Sequence, residues 1–116
     1  MQTYKGACHC GAVTYEVEAD MSYVIACNCS HCDIKGLILT FTPREKFKLL
    51  SGEENLAEYR FNKHLLHHSF CKTCGVQAFC YASSPDGTPM AAVNIRTLKD
   101  FDRSTVTIQP YDGKSK

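Results

Sequence analysis

Seven of the chain's eight cysteines fall in three tight clusters: Cys8-His9-Cys10-Gly11, Cys27-Asn28-Cys29-Ser30-His31-Cys32 and Cys71-Lys72-Thr73-Cys74-Gly75. Any fold this chain adopts has to place those sulfurs, so they constrain it more than any hydrophobic pattern does. No apolar segment follows a basic start at Met1, and the expected compartment is the cytoplasm. Thiols stay reduced there, so clustered cysteines point to metal binding or thiol chemistry rather than to disulfide staples.

The clusters divide by spacing. In an extended segment residues i and i+2 face the same side, so Cys8 and Cys10 can present two sulfurs together while His9 turns away. Cys71-x-x-Cys74 before Gly75 reads as a turn that gathers two thiolates, with a glycine free to take positive φ and nearby N–H groups aimed at sulfur. These two pairs supply the four soft ligands of a closed, tetrahedral structural zinc site. Cys27, Cys29 and Cys32 form a trio with no clustered cysteine left to complete it. Zinc with three protein ligands and one exchangeable position is the catalytic arrangement. Other readings stand beside these. The quartet could be ordinary buried or bridged cysteines, and a histidine could close the trio, or the trio could be redox-active thiols. The spacings do not match the usual iron–sulfur patterns. Cys80, alone in Val76-Gln-Ala-Phe-Cys-Tyr-Ala82, reads as a packing residue sharing a strand face with Val76, Ala78 and Ala82. Strand parity puts His67 on the side of Cys71, but His67, like His31 and His64, reads first as a hydrogen-bonded polar residue.

The remainder of the chain is that of an ordinary globular protein. At 116 residues and 13.0 kDa it has the size of one domain, spanning 1–116. No apolar stretch approaches the roughly 20 residues needed to cross a bilayer. With 13 basic against 12 acidic residues, a net charge of +1 and no basic run, it is poorly equipped to neutralise a phosphate backbone, so nucleic acid is not an expected partner. Strand-like runs recur at short intervals, at Ala12–Val17, Tyr23–Cys27, Leu37–Thr42, Phe47–Leu50, Ala57–Phe61, Leu65–Phe70, Val76–Ala82, Met90–Ile95 and Val106–Gln109. This predicts an all-β fold. Helical signals are confined to short pieces after Thr42 and at Thr97–Phe101, and Pro85-Asp-Gly87 marks a turn.

Three motifs in order, Gly6-x-Cys8-His9-Cys10-Gly11-x-Val13, Cys27-Asn28-Cys29-Ser30-x-Cys32-x-x-Lys35-Gly36 and Phe70-Cys71-x-x-Cys74-Gly75, resemble the glutathione-dependent formaldehyde-activating enzyme and centromere protein V family. The resemblance spans roughly Tyr4 to Ile95. It implies a β-tent-type zinc-binding fold of twisted antiparallel sheets, a structural zinc at Cys8, Cys10, Cys71 and Cys74, and a second zinc at Cys27, Cys29 and Cys32. It further implies a carbon–sulfur lyase that interconverts formaldehyde and glutathione with S-hydroxymethylglutathione, so the expected partner is a small thiol or its aldehyde adduct. The chain is shorter than the named enzyme, lacking segments that could shape a tripeptide pocket. Lys35, Arg44, Arg60, Lys63 and Arg96 are available to glutathione's carboxylates, but scattered basic residues are usually solvated surface, so none is assigned to binding. The alternative from another class is a noncatalytic, zinc-stabilised binding module.

Overall fold

In the computed structural model the described residues are 2–21, 23–27, 30–59, 67–84, 86–99 and 101–111, with the backbone alone described at 23, 27, 30–32, 59, 67, 68, 105 and 111. They form ten strands and one short helix: β1 (Gln2–Ala7), β2 (Thr14–Ala19), β3 (Tyr23–Cys27), α1 (Ser30–Lys35), β4 (Leu39–Pro43), β5 (Phe47–Ser51), β6 (Leu56–Tyr59), β7 (His67–Cys71), β8 (Phe79–Ser83), β9 (Pro89–Asn94) and β10 (Thr107–Tyr111). The all-β expectation holds, and most predicted runs overlap a strand. Two elements have no counterpart among the expectations. β1 is one, because its exposed, mixed residues show no alternation. The other is α1, too short for a 3.6-residue period to register. The helical turn after Thr42 is present as a 3-10 turn at Arg44–Lys46. The one expected at Thr97–Phe101 lies earlier, at Ile95–Thr97, where the Asn94 side chain caps it by accepting from the Arg96 N–H.

The strands make two sheets, one ordered β1-β2-β5 and the other β10-β3-β4-β9-β8-β7-β6. All pairings are antiparallel except β10 on β3, which is parallel. The antiparallel sheets that the resemblance implies are present, with this one parallel pair at the β3 edge. The segment joining β9 to β10 meets the smaller sheet, where the Lys99 N–H donates to the Lys5 carbonyl at 2.9 Å, and the chain returns to the β3 edge in the same direction as β3, a route that short hairpin connections cannot take.

β2 alternates buried and half-buried residues along its length, sending Tyr15, Val17 and Ala19 inward. They meet Phe47 of β5 and Phe79, Ala91 and Val93 of the larger sheet in a core cluster that also contains Val13, Cys8 and Cys71. Phe47 is the hinge of this packing: its ring stacks on Tyr15 at 5.5 Å and lies tilted against Phe79 at 4.6 Å. The Tyr15 hydroxyl, which burial pushes up to about 12, cannot be left without a partner. Thr97 supplies one: its hydroxyl donates to the Asn94 carbonyl at 2.7 Å, so its oxygen accepts from Tyr15 at 2.6 Å. Thr42 adds a tie between the sheets by donating to the Glu18 carbonyl at 2.8 Å. A second, smaller cluster of Leu37, Leu39, Cys80 and Ala92 covers the other face of the larger sheet, beside α1.

Cys80 is therefore a packing residue, as expected, but its neighbours differ. Val76 and Ala78 pack into the main core instead, because residues 75–78 are irregular and the strand begins only at Phe79. Parity cannot be carried through a segment that is not extended.

Gly6 pairs with Tyr15 across β1 and β2. A Cβ at Gly6 would collide with the Tyr15 ring and hydroxyl and lie 2.7 Å from the Thr97 carbonyl oxygen. Gly6→Ala should therefore destabilise the protein by about 2–3 kcal/mol through overpacking, lowering the urea midpoint without changing the slope of the transition.

Candidate metal centre

The cysteine quartet is built from two turns of the same design. After β1, the Cys8 N–H donates to the Val13 carbonyl at 3.0 Å. After β7, the Cys71 N–H donates to the Val76 carbonyl at 3.0 Å. Each turn closes on a glycine with positive φ, Gly11 at 85° and Gly75 at 79°, a conformation that side-chain-bearing residues rarely adopt. The Cys8–Cys10 segment is thus a turn rather than the extended pair expected, and it still delivers both sulfurs to one side.

The Sγ atoms of Cys8, Cys10, Cys71 and Cys74 all lie within 4.8 Å of one another. Cys10 Sγ is 3.6 Å from Cys8 Sγ and 3.6 Å from Cys71 Sγ. A tetrahedron with Zn–S bonds of about 2.3 Å has edges of about 3.8 Å, so these separations fit a single zinc ion at the centre. Disulfides require S–S bonds near 2 Å, which excludes bridging here. Four cysteines with these separations can hold one metal ion, and the soft sulfur set selects zinc among common ions.

The protein prepares this site for negative charge. The Val13 N–H donates to Cys8 Sγ at 3.3 Å, and Asn55 Nδ2 donates to Cys71 Sγ at 3.2 Å and to the Thr73 hydroxyl at 3.0 Å. The Cys71 thiol is held down to about 6: the backbone N–H of Cys74 is the leading cause, outweighing burial with help from the Thr73 N–H. Cys74 lies below its ordinary value as well; burial raises it, but the N–H groups of Cys10 and Val76 prevail. Cys10 goes the other way, up to about 11, because the Ala12 N–H that favours its thiolate is outweighed by desolvation and by the crowding of the Cys71, Cys8 and Cys74 sulfurs. Four sulfurs this close cannot all ionise without a cation between them. Cys80 stays outside: burial pushes it up to about 12 against the opposing pull of Lys35, leaving a protonated, inert thiol.

Asn55 is a member of this site that no sequence signal marks. It lies 16 residues from Cys71, at the end of a 3-10 turn, with no motif around it. Its carbonyl accepts from the Lys72 N–H at 2.8 Å, which pins the turn against the cysteine knuckle. Of the trio, Cys27 closes β3 and Cys32 lies in α1, while Cys29 falls outside the described residues, as do the side chains of Cys27 and Cys32. The readings of His67, His31 and His64 as hydrogen-bonded polar residues also fall outside the described side chains.

The glutathione-dependent formaldehyde-activating enzyme model matches residues 3–112. The chain belongs to this family. A crystal structure of a Rhodobacter sphaeroides protein is similar to it with a TM-score of 0.78 and 30% identity, over 90% of this chain and 99% of that one. The family relates the chain to glutathione and formaldehyde chemistry, consistent with a small thiol as partner. Among the described residues no helix is long and apolar enough to cross a membrane.

Because the quartet joins residues 61 positions apart, losing one ligand removes a long-range crosslink as well as the metal. Cys71→Ser should unfold or aggregate the protein, and a strong chelator should lower the melting temperature of wild type, both read by circular dichroism. Asn55→Ala should retain the fold and weaken zinc binding by at least about tenfold in competition with a chromogenic chelator. Protons compete with zinc for sulfur, so affinity should fall by at least about tenfold between about pH 7.5 and about pH 5.5, with proton release on zinc addition measurable by calorimetry in buffers of different ionisation enthalpy.

Proposed function

We propose that the protein catalyses the reversible addition of a small thiol, glutathione or a close relative, to formaldehyde. In the forward direction the thiol sulfur forms a bond to the aldehyde carbon, the carbonyl π bond breaks, and the proton given up by sulfur ends on the new hydroxyl oxygen. The reverse is carbon–sulfur lyase chemistry on the S-hydroxymethyl adduct. The observation that carries this reading is the family match over residues 3–112, on a chain whose quartet can hold one zinc without drawing on the Cys27/Cys29/Cys32 trio.

In this reading the two cysteine groups divide the work. The quartet is structural, its four sulfurs committed to one ion and its N–H donors already spent on them. The trio is the reactive centre, at the junction where β3 passes into α1. A second zinc held by Cys27, Cys29 and Cys32 would favour the thiolate of an incoming thiol or polarise the aldehyde oxygen. Three thiolates leave such a site with a net charge near −1, so cations close to α1 matter for attracting a negatively charged thiol. Lys35, one turn beyond Cys32, stands at the right place in the chain for that role. The reducing cytoplasm, where both cysteine groups remain thiols, is the compartment that suits this chemistry.

The test is exchange spectroscopy on equilibrating mixtures of formaldehyde and glutathione, with metal content measured on the same samples. Wild type should bind two zinc ions per chain and accelerate exchange. Cys32→Ser should stay folded, lose about one metal ion and lose the acceleration. Equal exchange rates for wild type and Cys32→Ser across several thiols would leave a zinc-stabilised binding module in place of an enzyme.

A further inference from the structure

Beside α1 lies a polar group that neither the core nor the cysteine quartet accounts for. Gln77 is only 3% exposed. Its Oε1 accepts from Lys35 Nζ at 2.8 Å, while its Nε2, a donor of two N–H bonds, has no hydrogen-bond partner among the described residues. The amide cannot be turned around to improve matters, since that would set its NH2 against an ammonium, donor to donor. A buried donor without an acceptor is destabilising, and a leucine would fill the same space without that penalty. The backbone that carries the amide is held firmly: Asn94 Nδ2 donates to the Gln77 main-chain carbonyl at 2.9 Å, and the Asn94 N–H donates to the Ala78 carbonyl at 2.8 Å.

The cation is positioned with similar care. Lys35 Nζ lies 5.4 Å from the centre of the Phe70 ring, and Arg96 Nε donates to the Gly36 carbonyl at 3.2 Å, tying down the end of α1 that carries the lysine. Lys35 itself is an exposed residue, so the buried Gln77 amide lies one side chain away from solvent.

We infer that Lys35 and Gln77 form a carboxylate-binding subsite, in which one ligand oxygen takes the Lys35 ammonium and the other accepts from Gln77 Nε2. A carboxylate is the acceptor-only, two-oxygen group that a cation and an amide NH2 set side by side would recognise. Lys35 lies three residues after Cys32 on the same helix, so the carboxylate belongs to the molecule whose thiol reaches the trio; this identification of the ligand rests on the proposed thiol reaction. The substrate class is accordingly a carboxylate-bearing thiol, and neutral thiols are disfavoured.

The zinc-loaded protein, isotopically labelled, should be titrated with S-methylglutathione, which keeps both carboxylates but has no thiol, and with its diethyl ester. The Gln77 side-chain amide resonances should shift saturably with the acid and stay fixed with the ester. Lys35→Met should weaken binding of the acid by at least about fivefold. Gln77→Leu, with its backbone spectrum preserved as proof of folding, should do the same. Fixed Gln77 resonances, an equal response to the ester, or unchanged affinity in both variants would overturn the subsite. Exchange measurements with formaldehyde separate the two readings. Acceleration for glutathione without a Gln77 shift overturns the subsite and leaves the reaction standing. A Gln77 shift without acceleration for any thiol supports the subsite and overturns the reaction.

Discussion

Four sulfurs drawn to one point hold this molecule together. Cys8 and Cys10 hang from the three-stranded sheet and Cys71 and Cys74 from the seven-stranded one, so a metal ion held among them would clamp the two sheets at one end. The clamp and the hydrophobic core are continuous, with Cys8 and Cys71 in the same cluster as Val13, Tyr15 and Phe79. A chain of this size has limited apolar surface to bury, and a long-range covalent-like tie removes much of the freedom of its unfolded state. The donors aimed at sulfur fit this view, because a site lined by N–H groups is prepared for thiolates and strained without a cation.

The larger sheet then separates two environments. Its inner face, carrying Phe79, Ala91 and Val93, is sealed by aromatic packing against the smaller sheet. Its outer face has only the small cluster of Leu37, Leu39, Cys80 and Ala92, with α1 alongside. The main core is concentrated on one side, and the features proposed for recognition lie on the other: the helix that carries Cys32, the Lys35 ammonium and the buried amide of Gln77. Gln77 comes only three residues after Cys74 in the chain. The loop that leaves the Cys71–Cys74 turn thereby places a polar group against α1, a few residues of backbone from the candidate metal centre.

The cysteines and the strands could be read directly from the sequence. Paired thiols followed by glycine admit few conformations, and alternating burial along a segment such as Thr14–Ala19 is a property of neighbouring residues in the chain. What could not be read has a common origin in contacts between remote segments. Asn55 reaches Cys71 from a different turn, Gln77 meets Lys35 across 42 residues, and β10 joins β3 in parallel after a long excursion. α1 is too short to show a period, and β1 shows none because its residues are mostly exposed.

The order of residues alone dictates the candidate ligand set, since soft ligands at those spacings suit a tetrahedral ion whatever the surrounding topology. It also determined the all-β class, through the two-residue period of its apolar positions. Which donors protect the sulfurs, which face of the sheet is sealed, and which one of several scattered cations stands beside an unsatisfied amide became defined when the chain folded. The reason is physical: ligand identity and side-chain period are local properties of a chain, whereas burial, desolvation and hydrogen-bond partnership exist only once distant segments meet.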